Sequence, residues 1–412
     1  MALVVAAASW VAWRLAEDHS QYNVLLITLD TVRADRVGCY GYAFAHTPAV
    51  DSLASGGTRF ARAFTPAPLT LPAHTTILTG LLPPEHGVHL NGLQQLPRDV
   101  PLLAEVLAAR GFRTGAFLGA FVLDKRFGLA RGFEVYDDRM QRPKDPTDPY
   151  SKENAANVVC ERALAWLEAD ANRPFFAWVH FYDAHGPYEP PEPYGSLSRN
   201  GYDGEIAFID AQVQRLLDFL ERRQLRRRTL VIVAGDHGEA FGEHDEQGHG
   251  GLVYEPTMHV PLILCFPGRL PEGCVVTNLA TLADIVPTVL DILGVKTTGR
   301  SSGQSLRGRL STERVSYGES EWFREEYGWA PLHALTTGRW KYIECPEPEV
   351  YDLCADPGEE HNQALAMPAM ATELRTRLAK LRGSMQARQS ANVPLDEAAR
   401  RVLRSLGYLG GG

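Results

Sequence analysis

The chain has 412 residues, with 41 Lys and Arg against 50 Asp and Glu, a formal net charge of −9. Hydrophobic residues make up 45% and charged residues 22%, ordinary globular usage that excludes wholesale disorder. The acidic balance excludes a nonspecific nucleic-acid binder, which needs a basic face to displace counterions, but admits an enzyme of anionic substrates whose cations are local.

The first element is a leader. Residues 2–15 are almost wholly apolar, with Arg14 the only charge, shorter than the roughly 20 residues of a membrane-spanning helix and of the length of a signal-peptide core without its basic flank. Residues 1–22 therefore read as a truncated signal or anchor. That reading implies a periplasmic or extracellular protein, associated with the membrane through this segment. The apolar runs 24–29, 175–181, 230–234 and 261–266 read as buried parallel strands. Amphipathic patterns over 100–110, 154–168, 205–220 and 282–293 read as the helices between them. The stripe Ile206, Ile209, Val213, Leu216, Leu217 and Leu220 is the clearest. Alternating strands and helices predict an α/β fold with a large, mostly parallel sheet covered by helices on both faces. Pro-rich stretches at 141–150 and 187–194 read as rim loops.

After 299–309, rich in Ser, Gly and Arg, the pattern changes to strands at 340–343 and 350–353 and a helix at 370–385. The expected organisation is a catalytic domain over 23–300, a small α+β subdomain over 301–385 and a tail or linker over 386–412. The six Cys are scattered without a CxxC pair, and Cys345 and Cys354 are close enough to bridge across a hairpin.

Active sites of doubly wound sheets lie beyond the carboxyl ends of the strands. Asp30 follows the strand NVLLITL, and Asp236 and His237 follow TLVIVAG. Two carboxylates and an imidazole on one edge suit a divalent cation, zinc or manganese, with calcium and magnesium as the hard-metal alternatives. Either Asp alone also fits a helix N-cap. Thr70, in PLTLPAHTTILTG (68–80), stands where Pro72 can open a helix. There backbone N–H groups favour an anion, although a plain N-cap fits as well.

These segments resemble the sulfatases of the alkaline phosphatase superfamily. The resemblance covers about 23–385 and is carried by the 68–80 segment, LDTVRADRVGCYGY (29–42), HFYDAHGPYEPP (180–191), GDHGEAFGEHDEQGHGGLVYEPTMHVPLI (235–263), TGRWKYI (337–343) and VYDLCADPGEEHN (350–362). LRSLGYLGGG (403–412) resembles the join to a helical-repeat domain in some bacterial members. The family's signature Cys or Ser becomes formylglycine, whose hydrate attacks sulfur and then expels sulfate by elimination. Thr70 stands at that position, and a secondary alcohol would oxidise to a ketone, so no formylglycine is expected. Thr31 replaces the second Asp of the family's metal pair, His74 replaces the signature Arg, and two family Lys positions are missing, with His249 the nearest polar residue to one of them.

The resemblance implies one metal held by Asp30, Thr70, Asp236 and His237. It implies catalytic or substrate-contacting roles for Thr70, His74, His185 and His249. Members with a metal-bound Thr, the nucleotide phosphodiesterases and phosphoethanolamine transferases, point to phosphorus. Three readings stand side by side. One is a metal-dependent phosphoesterase or phosphotransferase using Thr70. The second is a sulfuric ester hydrolase with an unusual nucleophile. The third is a non-catalytic binder of anionic ligands. The expected partner is a small-molecule, lipid or glycan anionic ester, not nucleic acid.

Overall fold

A computed structural model describes residues 21–140, 153–296, 299–405 and 408. The leader 2–15 and the rim loop 141–150 lie outside them. The central sheet has eight strands, in the order Cys274–Val276, Thr58–Phe60, Leu262–Cys265, Thr229–Gly235, Asn23–Leu29, Phe175–Phe181, Arg113–Leu118 and Val135–Asp137. From Thr229–Gly235 to Val135–Asp137 every neighbour is parallel. Leu262–Cys265 runs antiparallel to both its neighbours, which corrects the expectation of a parallel strand at 261–266. All four of its residues are buried, and a strand covered on both faces has the same apolar sequence in either direction. The strand Arg113–Leu118 was not anticipated; its Thr114 and Gly115 break the apolar run.

Each central strand feeds two cores by alternation. Val24 and Leu26 face the core containing Leu71, Ile77 and Leu78 of the helix Thr70–Thr79. Leu25, Ile27 and Leu29 face the helices Ala156–Ala169 and Gly201–Arg222. In the latter, the predicted stripe is the buried one, extended by Phe208 and Phe219. The pattern at 282–293 divides into a tight turn at Leu282–Asp284 and the helix Ile285–Ile292.

A second sheet of four antiparallel strands, Ser316–Ser320, Leu332–Thr336, Trp340–Glu344 and Glu349–Asp352, packs under the helix Pro368–Ser384. Inside this region the side chain of Lys341 is wholly buried, its Nζ 2.8 Å from Glu359 Oε1. All six Cys are free, so Cys345 and Cys354 form no bridge: the Cys345 thiol turns to the Glu347 carbonyl at 2.9 Å. The segment expected as a tail joins the main core instead. Ala399, Val402 and Leu403 of the helix Glu397–Ser405 are buried in it, as is Tyr408. Their spacing is that of one helical face, a signal too short to separate from a solvated tail in sequence. No helix among the described residues is long and apolar enough to cross a membrane.

Candidate active site

The parallel ladder continues one residue past the strand ends. Asp30 N donates to Phe181 O at 2.9 Å and Asp236 N to Leu29 O at 3.2 Å, so the two carboxylates stand side by side where adjacent strands stop. The Asp236 carboxylate is then oriented by backbone. Its Oδ1 accepts from Thr31 N at 3.2 Å and His237 N at 2.7 Å, leaving Oδ2 buried without a hydrogen-bond partner. Thr31 adopts a left-handed φ of 55° to make this contact, a conformation costly for a β-branched residue. Its hydroxyl faces the carbonyls of Ala184 and Asp30 at 2.6 and 2.8 Å, and Tyr202 Oη donates to its carbonyl at 2.7 Å. The Thr31 hydroxyl is thereby turned away from the carboxylates.

His237 places Nδ1 3.0 Å from Gly238 O. A carbonyl only accepts, so the hydrogen-bond network assigns the proton to Nδ1 and leaves Nε2 bare. That Nε2 lies 3.3 Å from Thr70 Oγ1, 3.7 Å from Asp236 Oδ2 and 3.9 Å from Asp30 Oδ1. Thr70 opens the helix Thr70–Thr79 and also sets Oγ1 3.4 Å from Asp30 Oδ2. Asp30, Asp236, His237 and Thr70 are all fully buried. Burial pushes the carboxyls of Asp30 and Asp236 up, since an uncompensated charge is costly there.

Behind this group lies a network that sequence reasoning missed. Thr28 Oγ1 is 3.0 Å from each of Trp178 Nε1, His74 Nε2 and His180 Nδ1. The indole can only donate. His74 Nδ1 lies 2.8 Å from Thr70 O and must donate there. Burial holds the His74 imidazole down at about 3, so it is neutral and its Nε2 accepts from the Thr28 hydroxyl. The remaining lone pair of Thr28 accepts from His180 Nδ1, leaving His180 Nε2 bare at 3.2 Å from Asp30 Oδ2. Two acceptor atoms so placed need a proton or a cation between them or beside them. With the partnerless Asp30 Oδ1 and Asp236 Oδ2, this is the donor set of a cation site, and the residues present fit a divalent metal.

The sequence carried a trace of the network. Thr28 pairs with His180, and Leu26 with Trp178, in the strand register, so Trp178, His180 and Tyr182 share one face by alternation. His74, expected at the substrate, is fully buried with both ring nitrogens engaged. It contacts the Thr70 backbone and lies beside the carboxylate cluster, its Nδ1 3.5 Å from Asp236 Oδ2, rather than lining the cleft.

His185 and His249 meet above the carboxylates, their rings 5.1 Å apart. His185 stacks on Tyr182 at 4.5 Å and directs Nδ1 to Gly186 O at 2.9 Å, leaving Nε2 buried and bare. His249 lies 4.4 Å from the His237 ring, and its Nδ1 contacts Glu239 Oε1 at 2.9 Å. Burial works against a charge on His249, but Glu239, Asp30 and Asp236 outweigh it and lift the imidazole to about 9. Tyr188 Oη holds the other Glu239 oxygen at 2.8 Å. Glu239 is a site residue that no motif in the sequence singles out. Above lies a cleft of about 580 Å3 bordered by His185, Tyr188, His249, Trp322, Phe323 and Tyr408, and no Lys or Arg is among its described lining residues. A second group, His89, Glu319 and Glu321, also has metal-ligand spacing. There Glu319 is already bonded to His89 Nδ1 at 2.5 Å and Tyr317 Oη at 2.6 Å.

A mostly parallel sheet with paired carboxylates, an imidazole and a hydroxyl beyond its strand ends has the donor groups of a divalent-metal site. Residues 22–295 match the Sulfatase family model, and residues 242–384 match the C-terminal region of N-sulphoglucosamine sulphohydrolase. The chain belongs to the sulfatase family. It is 25% identical to the Delta 4,5-hexuronate-2-O-sulfatase of Bacteroides thetaiotaomicron, over 85% of this chain and 86% of that protein. Human arylsulfatase A is 26% identical over 82% of this chain and 83% of its own length. The crystal structure of the phosphonate monoester hydrolase of Agrobacterium radiobacter superposes with a TM-score of 0.74 at 24% identity, covering 88% of this chain and 95% of that one. The protein is therefore a hydrolase acting on ester bonds.

Proposed function

We propose that the enzyme cleaves phosphodiesters with Thr70 as nucleophile. The observation that supports this most is the position of Thr70 Oγ1, 3.3 Å from His237 Nε2 and 3.4 Å from Asp30 Oδ2 at a helix N-terminus. Asp30, Asp236, His237 and Thr70 would hold the metal, zinc or manganese by their mixed oxygen and nitrogen donors. When bound, a divalent ion supplies charge stabilisation and lowers the pKa of a hydroxyl beside it. The Oγ1–P bond forms as the bond to the leaving oxygen breaks. His249, whose Nδ1 proton is turned to Glu239 and which that carboxylate holds cationic, would supply its Nε2 proton to the leaving oxygen, exchanging its contact with Tyr408 Oη for one with the ester. His185 presents a bare Nε2, which suits it to take a proton from the water that releases phosphate from Thr70.

Sulfate esters are the second reading, favoured by the names of the relatives. Against it, Thr70 cannot form an aldehyde hydrate, so a sulfated Thr70 has no elimination route and must wait for direct attack by water. Hydrolysis of bis-p-nitrophenyl phosphate and p-nitrophenyl sulfate by wild type and Thr70→Ala, with intact-protein mass spectrometry, separates the readings. Metal-dependent phosphodiester turnover that is lost in the variant is expected. Multiple turnovers of the sulfate would refute the phosphorus assignment. Undiminished turnover by Thr70→Ala would refute the nucleophile.

A further inference from the structure

Tyr408, near the C-terminal end of the described residues, borders the active-site cleft. From Arg388 to Val393 the backbone is tied along the edge of the main domain. Arg388 donates to Glu85 O at 2.8 Å, Ala391–Asn392 pairs with Gln94–Gln95, and Val393 N donates to Leu93 O at 2.9 Å. The helix Glu397–Ser405 then buries Val402 and Leu403 in the large core. Leu403 sits directly on Gly92, whose φ is 74° and where an added Cβ would overlap the leucine side chain. This close approach sets the height of the helix, and Tyr408 N closes it by donating to Leu403 O at 2.8 Å.

The strap delivers one side chain to the chemistry. Tyr408 Oη lies 3.2 Å from His249 Nε2, on the side of the imidazole opposite Glu239. Its ring is 7% exposed and borders the cleft above Thr70, with Asn91 and Trp322 on its other flank. We propose that Tyr408 is a substrate-contacting residue of this active site, its phenol hydroxyl paired with His249 to hold the ester oxygens that face the cleft. The described cleft lining has no Lys or Arg, and Tyr188, the other phenol there, is committed to Glu239. Tyr408 Oη, beside His249 Nε2, and the bare Nε2 of His185 stand on a cleft wall that also carries Glu239, Asp245, Glu246 and Gln247. Residues 388–405 and Tyr408 are, on this reading, part of the catalytic unit, and their role is the same whether the ester is of phosphorus or sulfur.

The test is Tyr408→Phe in the full chain, which removes one oxygen atom. Binding of inorganic phosphate and of inorganic sulfate is measured by calorimetry, alongside kcat and KM for bis-p-nitrophenyl phosphate. Loss of one preorganised donor typically costs about a hundred- to a thousandfold in kcat. The expected result is such a loss with a smaller change in KM, at least tenfold weaker binding of the ion that wild type prefers, and an unchanged unfolding midpoint. Gly92→Val, which lifts Leu403 and with it Tyr408, should reproduce the loss with the phenol still in the chain. Anion affinity and kcat within twofold of wild type in Tyr408→Phe would overturn the proposal. So would increased activity, which would make Tyr408 an obstruction, and so would failure of wild type to bind either ion. A preference of wild type for sulfate would sink the phosphodiester reading while leaving Tyr408 tested on sulfate.

Discussion

Thr28 is the hub on which the buried side of the active site depends, and replacing it with valine tests the hydrogen-bond accounting. The variant keeps shape and volume but removes the oxygen that Trp178 Nε1, His74 Nε2 and His180 Nδ1 share, each at 3.0 Å. Trp178, His74 and His180 are fully buried, so no water replaces the oxygen without rearrangement. A buried polar group left without a partner costs about 1–3 kcal/mol, and three such groups set an expected loss of about 3 kcal/mol or more. Thr28→Ser is the control, since it keeps the oxygen and gives up one buried methyl, about 1 kcal/mol. The difference of about 2 kcal/mol corresponds to roughly a 30-fold change in the unfolding equilibrium. Urea unfolding followed by tryptophan fluorescence measures it, with unfolding rates as the readout if refolding is incomplete. Valine and serine variants of equal stability would refute the network as assigned. The valine variant should also lose activity, because His74 fixes the Thr70 carbonyl at 2.8 Å.

Thr70→Ala should retain metal, measured by elemental analysis, since Asp30, Asp236 and His237 remain; Asp236→Asn should lose it, and stoichiometric metal in that variant would contradict its role as a ligand. Lys341→Met should destabilise by about 3–5 kcal/mol, the cost of stranding a buried charge, because Glu359 lies 2.8 Å from Nζ; adding Glu359→Gln should restore much of the loss in chemical denaturation. The His89–Glu319 pair makes stability depend on pH. Burial opposes a charged His89, but the bond to Glu319 outweighs it and raises the imidazole above its ordinary 6.5. Glu319 is lowered below its ordinary 4.5 although burial alone would raise it. The His89 contribution is complete below 6.5 and fades as pH rises through its folded value, and that of Glu319 is complete above 4.5 and fades as pH falls through its own. The stability advantage of wild type over His89→Gln should therefore be greatest between about pH 4.5 and 6.5, and a constant difference from pH 4 to 9 would contradict the pairing.

The strand ends and their acidic residues were legible because a strand covered on both faces is a short unbroken apolar run, and because Asp30, Asp236 and His237 follow such runs at once. Strand direction was not legible at Leu262–Cys265, where burial on both faces erases it. The roles of the histidines divided by reach. His185 and His249 do face the cleft, but His74 turns inward, and only the positions of Thr28 and Thr70 O reveal that both its nitrogens are occupied. Glu239 and Tyr408 were invisible for another reason. Their contacts to His249 span 10 and 159 residues of chain, and no local period encodes such pairings.

Charge counting in the cleft narrows the class of ester further. A phosphodiester or a sulfate monoester brings one negative charge, and a phosphate monoester brings close to two at neutral pH. The described lining offers His249 as its cation and carries three carboxylates, Glu239, Asp245 and Glu246. The N-terminus of the helix Thr70–Thr79 adds a partial positive charge, about half an elementary charge. A divalent ion held by Asp30, Asp236, His237 and Thr70 would offset charge on either ester, so the difference lies at the outer wall, where the second charge of a monoester would face carboxylates. With matched p-nitrophenyl substrates, kcat/KM should be higher for the phosphodiester than for the phosphate monoester at pH 8. Glu246→Gln should narrow the gap by removing part of the repulsion. A wild-type enzyme faster on the monoester would mean that cations outside this lining reach the substrate, and the argument from the cleft would fail.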